Sequence, residues 1–279
     1  MRLHVGCAMW QHPHWQQRQL PAGQRLEWYA ARCNAVEGNT TFYATPSPQT
    51  VRTWAAQTAP DFRFVAKLPR TITHDRRLNG ADAELRAFLD AIEPLGPRTH
   101  ALWVQLPGSF GPTDLGVLAG FLRGLPGGYR VAVEVRHSAF FTDEGTARQL
   151  ERVLARVDAE WIPFDTTTLF AAPAASDGER EAWGKKPRLP RRMRALTEFP
   201  IVRYHGRDAT EPTVAGWQPW VATVAQWLRE GRSPTVFLHT PDNAAAPELA
   251  RRFHDEVRAQ VPRLEPLPEP ASAEPMTLF

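Results

Sequence analysis

Short apolar runs recur along the chain at positions 3–5, 35–37, 62–66, 101–106, 131–135, 161–164, 201–204 and 235–239. Near-continuous apolar runs of this length read as strands buried on both faces. Their centres lie roughly 28 to 40 residues apart, which is the length of one strand-helix unit. Between them, apolar residues repeat at i, i+3, i+4 and i+7, the stripe of a helix lying on a sheet. Val51, Trp54, Ala55 and Thr58 follow that template, as do Leu85, Phe88, Leu89 and Ile92. So do Leu150, Val153, Leu154 and Val157, and again Val221, Val224, Ala225 and Leu228. Cap residues mark several starts: Ser47 before Pro48, Thr113-Asp114 before Leu115, and Thr142 before Asp143-Glu144. Eight alternating units predict an α/β fold of the TIM-barrel-like (β/α)8 parallel type, with a doubly wound sheet as the alternative.

Two stretches break the pattern. Positions 166–200 show no clean helical stripe and carry Lys185, Lys186, Arg188, Arg191, Arg192 and Arg194 with no acidic residue among them. Such a run is either a solvated face or a salt-sensitive, sequence-blind phosphate binder. After residue 261 the chain becomes proline-rich and loses all periodicity. The predicted organisation is therefore one barrel domain over 1–261 and a disordered tail over 262–279. That tail ends on Met276, Thr277, Leu278 and Phe279, an apolar finish that suits a docking peptide.

Composition narrows the class. Of 279 residues, 43% are hydrophobic and 23% charged, which excludes a wholly disordered chain. No apolar run approaches the roughly 18 residues of a membrane span, and the start lacks a signal peptide's apolar stretch. The expectation is a cytoplasmic protein with no membrane partner. A net charge of +3 and a pI near 9.1 leave DNA or RNA open as partners without demanding either. Cys7 and Cys33 are too few for a disulfide framework and read as buried free thiols.

In a parallel barrel, function gathers where strands end. The polar residues there are Trp10, His12, His14 and Trp15 after the first strand, then Glu37, Asn39, Thr41 and Tyr43 after the second. Lys67, Gln105, Glu134, Arg136, His137, Asp165, Arg203, His205, His239, Asp242 and Asn243 complete the predicted rim. Charged groups in apolar strand ends must pair with one another or face a ligand. As ligand groups they suit two chemistries. Glu37, Glu134, Asp165, His205 and His239 could hold one or two divalent metals. Alternatively Lys67, Arg136, Arg203, Arg76 and Arg77 could hold an anion while Glu37 or Glu134 acts as acid or base. The dinucleotide, phosphate-loop and nucleophile-elbow glycine motifs are all missing from the sequence.

The blocks GCAMWQHPHW, VEGNTTFYATPSPQTVRTW, FRFVAK with Thr73-His74, LWVQLPGSF, VAVEVRHSAFF, IVRYHGRD and FLHTPDNAAAPELA resemble, in order, those of the YecE-like family. That resemblance spans roughly residues 3 to 258 and implies a TIM-barrel-like fold, with no assigned activity. By position it implies a polar set of Trp10, Glu37, Asn39, Thr41, Tyr43, Lys67, His74, Gln105, Glu134, Arg136, His137, Asp165, Arg203, His205 and Asn243. The chain departs from the pattern at Cys7, at Gly38 and in the Thr240-Pro241-Asp242-Asn243 ending. The closing PMTLF is similar to the Q-[LM]-x-L-F peptide that docks bacterial repair and replication proteins on the sliding clamp.

These observations predict a barrel that binds or acts on a phosphorylated or nucleic-acid ligand at its C-terminal rim. Glu37, Glu134 and His205 are the expected acid, base or metal groups. Trp10, Asn39, Tyr43, Lys67, His74, Gln105, Arg136, His137, Asp165 and Arg203 are the expected ligand contacts. Two alternatives stand beside this: a non-catalytic adaptor recruited to DNA through the clamp by Met276, Leu278 and Phe279, and a metal-dependent carbohydrate or isomerase-type enzyme.

Overall fold

The protein is described by a computed structural model covering residues 2–15 and 20–269. The tail residues Met276, Leu278 and Phe279 lie outside the described residues. The predicted strands are present as β1 (His4–Gly6), β2 (Ala35–Gly38), β3 (Arg63–Lys67), β4 (Thr99–Gln105), β5 (Val131–Glu134), β6 (Glu160–Trp161), β7 (Phe164–Asp165), β8 (Ile201–His205) and β9 (Thr235–His239). All pairings are parallel and fall into two sheets, ordered β2-β3-β4-β5-β6 and β1-β9-β8-β7. The predicted sixth strand is split, because Ile162-Pro163 turns the chain from one sheet to the other. The Ile162 amide still donates to the Val133 carbonyl and the Arg203 amide to Pro163, at 2.9 and 3.1 Å. One continuous segment therefore joins the two sheets on that side.

On the opposite side β1 and β2 meet without a ladder. The Glu37 amide donates to the Cys7 carbonyl at 3.0 Å, and side chains satisfy the neighbouring backbone groups, which cannot stay unpaired in a buried seam. Asn34 accepts from the Val5 amide at 2.7 Å and donates to the Leu3 carbonyl at 3.0 Å. The Tyr29 hydroxyl accepts from the Cys7 amide at 2.7 Å and donates to the Ala35 carbonyl at 2.8 Å. Both cysteines are buried free thiols, as expected.

Helices α1 (Arg25–Ala30), α2 (Thr40–Tyr43), α3 (Pro48–Ala56), α4 (Asp82–Ile92), α5 (Leu115–Gly124), α6 (Ala139–Thr142), α7 (Glu144–Ala155), α8 (Asp177–Lys185), α9 (Thr210–Arg229) and α10 (Ala246–Gln260) follow or link the strands. The predicted stripes face inward: Leu85, Phe88, Leu89 and Ile92 of α4 are all buried. Ser47 caps α3 by accepting from the Thr50 amide at 3.1 Å. The cap of α7 is Asp143, one residue after the expected Thr142, and accepts from the Thr146 amide at 2.6 Å. Asp114 instead accepts from the Gly111 amide, closing the turn before α5. No helix among the described residues is long and apolar enough to cross a membrane.

Three expectations are corrected. The 166–200 stretch contains a helix, α8, capped by Ser176; its polar composition hides the stripe. Arg191 and Arg192 of the 185–194 run are tied into the fold rather than solvated, whereas Lys185 and Arg194 stay exposed in surface pairs. Arg191 pairs with Asp165 at 2.6 Å, Arg192 with Glu151 at 2.6 Å, and Lys185 with Glu181. Residues 262–269 are no free extension. Leu264 and Leu267 are buried, Arg258 donates to the Leu264 carbonyl, and Arg251 donates to that of Pro268. Two leucines three residues apart suffice to seat an extended proline-rich segment, and composition alone does not register that spacing.

The seam sets one prediction. A Cβ on Gly6 would stand 2.0 Å from the Ala35 carbonyl oxygen, a backbone atom that cannot swing aside. Gly6→Ala is expected to lower stability by about 3 kcal/mol, read from the denaturant midpoint. An unchanged midpoint would contradict the tight β1–β2 junction.

Candidate functional site at the barrel mouth

Side chains alternate along a strand, so residues of one parity point into the barrel. The interior floor is apolar: Ala35, Val65, Ala101, Trp103, Ala132, Ile162, Ile201 and Phe237 form one cluster. Trp103 stacks on Phe237 with ring centroids 6.0 Å apart. Two residues further along the same strands come Glu37, Lys67, Gln105, Glu134, Arg203 and His239, so charge begins directly above an aromatic floor. Lys67 Nζ lies 4.6 Å and Arg203 Cζ 5.6 Å from the Trp103 ring centroid.

These groups interlock. Glu37 Oε1 meets Lys67 Nζ at 2.5 Å and Arg203 Nη2 at 3.0 Å, while its Oε2 accepts from His239 Nε2 at 2.8 Å. Arg203 also reaches Glu134 Oε2 at 3.4 Å, and Glu134 Oε1 accepts from Arg136 Nε at 2.7 Å. Lys67 donates further to Asn39 Oδ1 and Gln105 Oε1 at 2.9 and 3.0 Å. Glu37 and Glu134 have no solvent exposure, and Lys67 only 1%. Burial pushes both carboxyls up, but the cations outweigh it: Arg203 and Lys67 hold Glu37 well below the usual range, and Arg136 and Arg203 hold Glu134 below it. Both therefore stay ionised near neutrality and are poor proton donors.

The histidines are neutral. Burial pulls His239 down to about 4 despite Glu37, so its Nε2 carries the hydrogen given to that carboxylate. Burial, with His239 and Lys186 nearby, holds His205 well below its ordinary value. Its Nδ1 faces the Gly206 carbonyl at 3.2 Å, which can only accept; that tautomer leaves Nε2 as a base. A π-helical turn, Thr71–Asp75, brings half-buried His74 to the same mouth, where burial and Arg136 pull it down to about 4.

Not every expected residue joins the cluster. Asp165 has the opposite parity to Phe164 and turns outward, where Trp220 Nε1, Arg191 and Thr167 satisfy it. Trp10 packs edge-on against Trp54 and Phe64. His137 accepts from the Ala139 amide at the start of α6. Thr41 ties the Gly38 carbonyl to that of Lys67, and Asn243 occupies a left-handed turn at φ 56°. Tyr43 is 72% exposed above the mouth. The expected metal set does not converge either. Glu37 and Glu134 are faced by cations, Asp165 points away, and no three His, Cys, Asp or Glu among the described residues form a metal-holding group.

The sequence reading undervalued Lys186. It follows α8, is half-buried, and makes no hydrogen bond or ion pair among the described residues through its ammonium. Burial first, then Arg203 and Arg136, pull it down to about 8. Glu37 and Glu134 thus face three cations, Lys67, Arg203 and Arg136, and Lys186 feels the charge of the last two.

A TIM-barrel-like α/β scaffold with a positively biased mouth is the class these features define. The chain belongs to the family described as protein of unknown function DUF72, whose model matches residues 4–273. It is 37% identical over 266 residues to the UPF0759 protein YecE of Escherichia coli O157:H7, covering 95% of this chain and 96% of that protein. The YecE protein of E. coli strain K12 is similar to the same degree. A crystal structure of a DUF72 family protein from Enterococcus faecalis V583 matches with a TM-score of 0.69 at 18% identity, covering 95% of this chain and 98% of that one. That likeness carries the fold.

The two tiers of charge predict different responses. Arg203→Ala removes the cation that two buried carboxylates share and is expected to cost about 3–5 kcal/mol. Lys186→Ala removes an unpaired cation and is expected to leave the unfolding midpoint unchanged or raised. Equal destabilisation by both, in parallel denaturant titrations, would contradict this division.

Proposed function

We propose that the barrel mouth binds a small phosphorylated ligand, with Arg136 and Lys186 holding its anionic group. The observation that carries this reading is the excess of positive charge at the mouth. The Arg136 guanidinium spends its Nε on Glu134, and its two outer nitrogens, without a hydrogen bond or ion pair among the described residues, suit a fork-like contact with an oxyanion. Lys186 supplies a second, unpaired donor beside it. Below them Arg203 and Lys67 are committed to Glu37 and Glu134, which fixes the floor before a ligand arrives. Asn39 and Gln105, both bonded to Lys67, and His74 would choose among ligands by hydrogen bonding. His205 Nε2 is the group able to accept a proton there.

A small ligand is favoured over a nucleic acid by where the charge lies. The cations of the 185–194 loop are mostly engaged with Asp165, Glu151 and Glu181, so they do not form a free phosphate-tracking stripe. The surplus sits inside a mouth rather than along a surface.

Inorganic phosphate and a sugar phosphate, at constant ionic strength, are expected to raise the melting temperature where chloride does not. Arg136→Ala is expected to weaken phosphate binding about tenfold or more, the effect of one charge-assisted contact. Affinity should also fall as pH rises through about 8, because the Lys186 ammonium is lost there. No phosphate response in calorimetry would overturn the reading. Tight, steeply salt-dependent binding of short DNA, indifferent to Arg136→Ala, would replace it with the nucleic-acid one.

A further inference from the structure

A cavity of about 210 Å³ lies at the foot of the barrel, the end opposite the charged mouth. Residues just ahead of three strands meet there: Leu3 before β1, Cys33 before β2 and Phe62 before β3, each at most 3% exposed. Leu264 and Leu267, from the segment that follows α10, close another side. That segment is clamped in place. Arg251 donates to the carbonyls of Arg32 and Pro268 at 3.3 and 2.9 Å, and Arg258 to that of Leu264 at 3.2 Å. Ala30 and Ala59 keep the space open where larger side chains would fill it.

Protein interiors rarely leave such a volume empty. An apolar cavity of roughly 150 Å³ holds benzene, and water needs about two to four polar partners to stay in place. Among the described residues the walls offer one buried polar side chain, His254 of α10, which is 1% exposed. Its Nδ1 stands 3.9 Å from Asp255 Oδ1, beyond hydrogen-bond reach, and has no other partner among the described residues. Asn34, also in the wall, is already spent on the Val5 amide and the Leu3 carbonyl. Charge lies at the rim, where Arg2 pairs with Asp61 at 2.7 Å and the Arg32 guanidinium lies over the Trp28 ring at 3.7 Å. The interior therefore presents apolar surface and one neutral imidazole, since burial pulls His254 down to about 4.

We propose that this cavity is a second ligand site, for a small, uncharged, largely apolar compound carrying one hydroxyl group. The volume fits a single ring or a short branched chain, and the leucine and phenylalanine walls would cover its carbon atoms. A hydroxyl can both give and take a hydrogen bond, which matches a neutral imidazole. A charged ligand would lose its hydration with no opposite charge inside to replace it. The site is independent of the anion reading of the mouth. It also gives the 262–269 segment a task, as the wall that closes over the ligand.

The test titrates the full chain with phenol and with toluene, which match in size and differ by the hydroxyl group. Binding is followed by NMR through the methyl resonances of Leu264 and Leu267. Both compounds are expected to shift those methyls. His254→Phe should lower the affinity for phenol relative to toluene by about threefold or more, the worth of one neutral hydrogen bond. Ala30→Leu, which puts a side chain into the space, should abolish binding of both compounds without lowering the unfolding midpoint, and Arg136→Ala should leave both affinities unchanged. If neither compound shifts the two leucines, the cavity holds water alone and the proposal falls. If Ala30→Leu leaves binding intact, the compounds sit elsewhere and the site is overturned. If His254→Phe leaves the phenol-to-toluene ratio unchanged, the hydroxyl assignment is overturned.

Discussion

Arg203 is the residue on which the mouth depends. From β8 it reaches Glu37 on β2 and Glu134 on β5, strands that belong to the other sheet. Together with the His239–Glu37 contact, it ties the two sheets across the barrel at the end where β1 and β2 lack a ladder. A guanidinium between two carboxylates suits this task, since each buried charge would be costly alone, and Arg203 with Lys67 balances Glu37 and Glu134. The same contacts determine what remains free. With Glu37 and Glu134 spent on Arg203, Lys67 and Arg136, the outer nitrogens of Arg136 and the Lys186 amine carry the uncompensated charge.

The barrel was legible because its signals are local and repeated. Strand runs at regular intervals place β2, β5 and β9 nearly to the residue, and the helix stripes fall within α4 and α9. The mouth was legible in outline for a related reason: strand parity puts Glu37, Lys67, Gln105, Glu134 and Arg203 on one side of the pleat, two positions beyond the apolar floor. Asp165 shows where this argument needs a register. It stands at a strand end, but Pro163 breaks that strand and Phe164 takes the inward position, so the carboxylate turns out to Trp220 and Arg191.

What was not legible is tertiary. The α8 helix has too few apolar residues to announce itself, and whether a run of cations is solvated depends on acids distant in the chain, such as Glu151 for Arg192. In the sequence Lys186 is one charge among six, and only the fold separates it, half-buried, from the exposed Lys185. The proline-rich segment 262–269 escapes composition in the same way, because Leu264 and Leu267 matter through the surface they meet.

The most direct test of this account is the titration of the three lysine side chains, observed by NMR on protein labelled selectively at lysine, with and without inorganic phosphate. The account predicts that Lys186 titrates near 8 and moves upward when phosphate binds, while Lys185, raised by Glu181, titrates above the ordinary lysine value and does not respond. A Lys186 that titrates with Lys185 and ignores phosphate would contradict the view of the barrel mouth as an anion site.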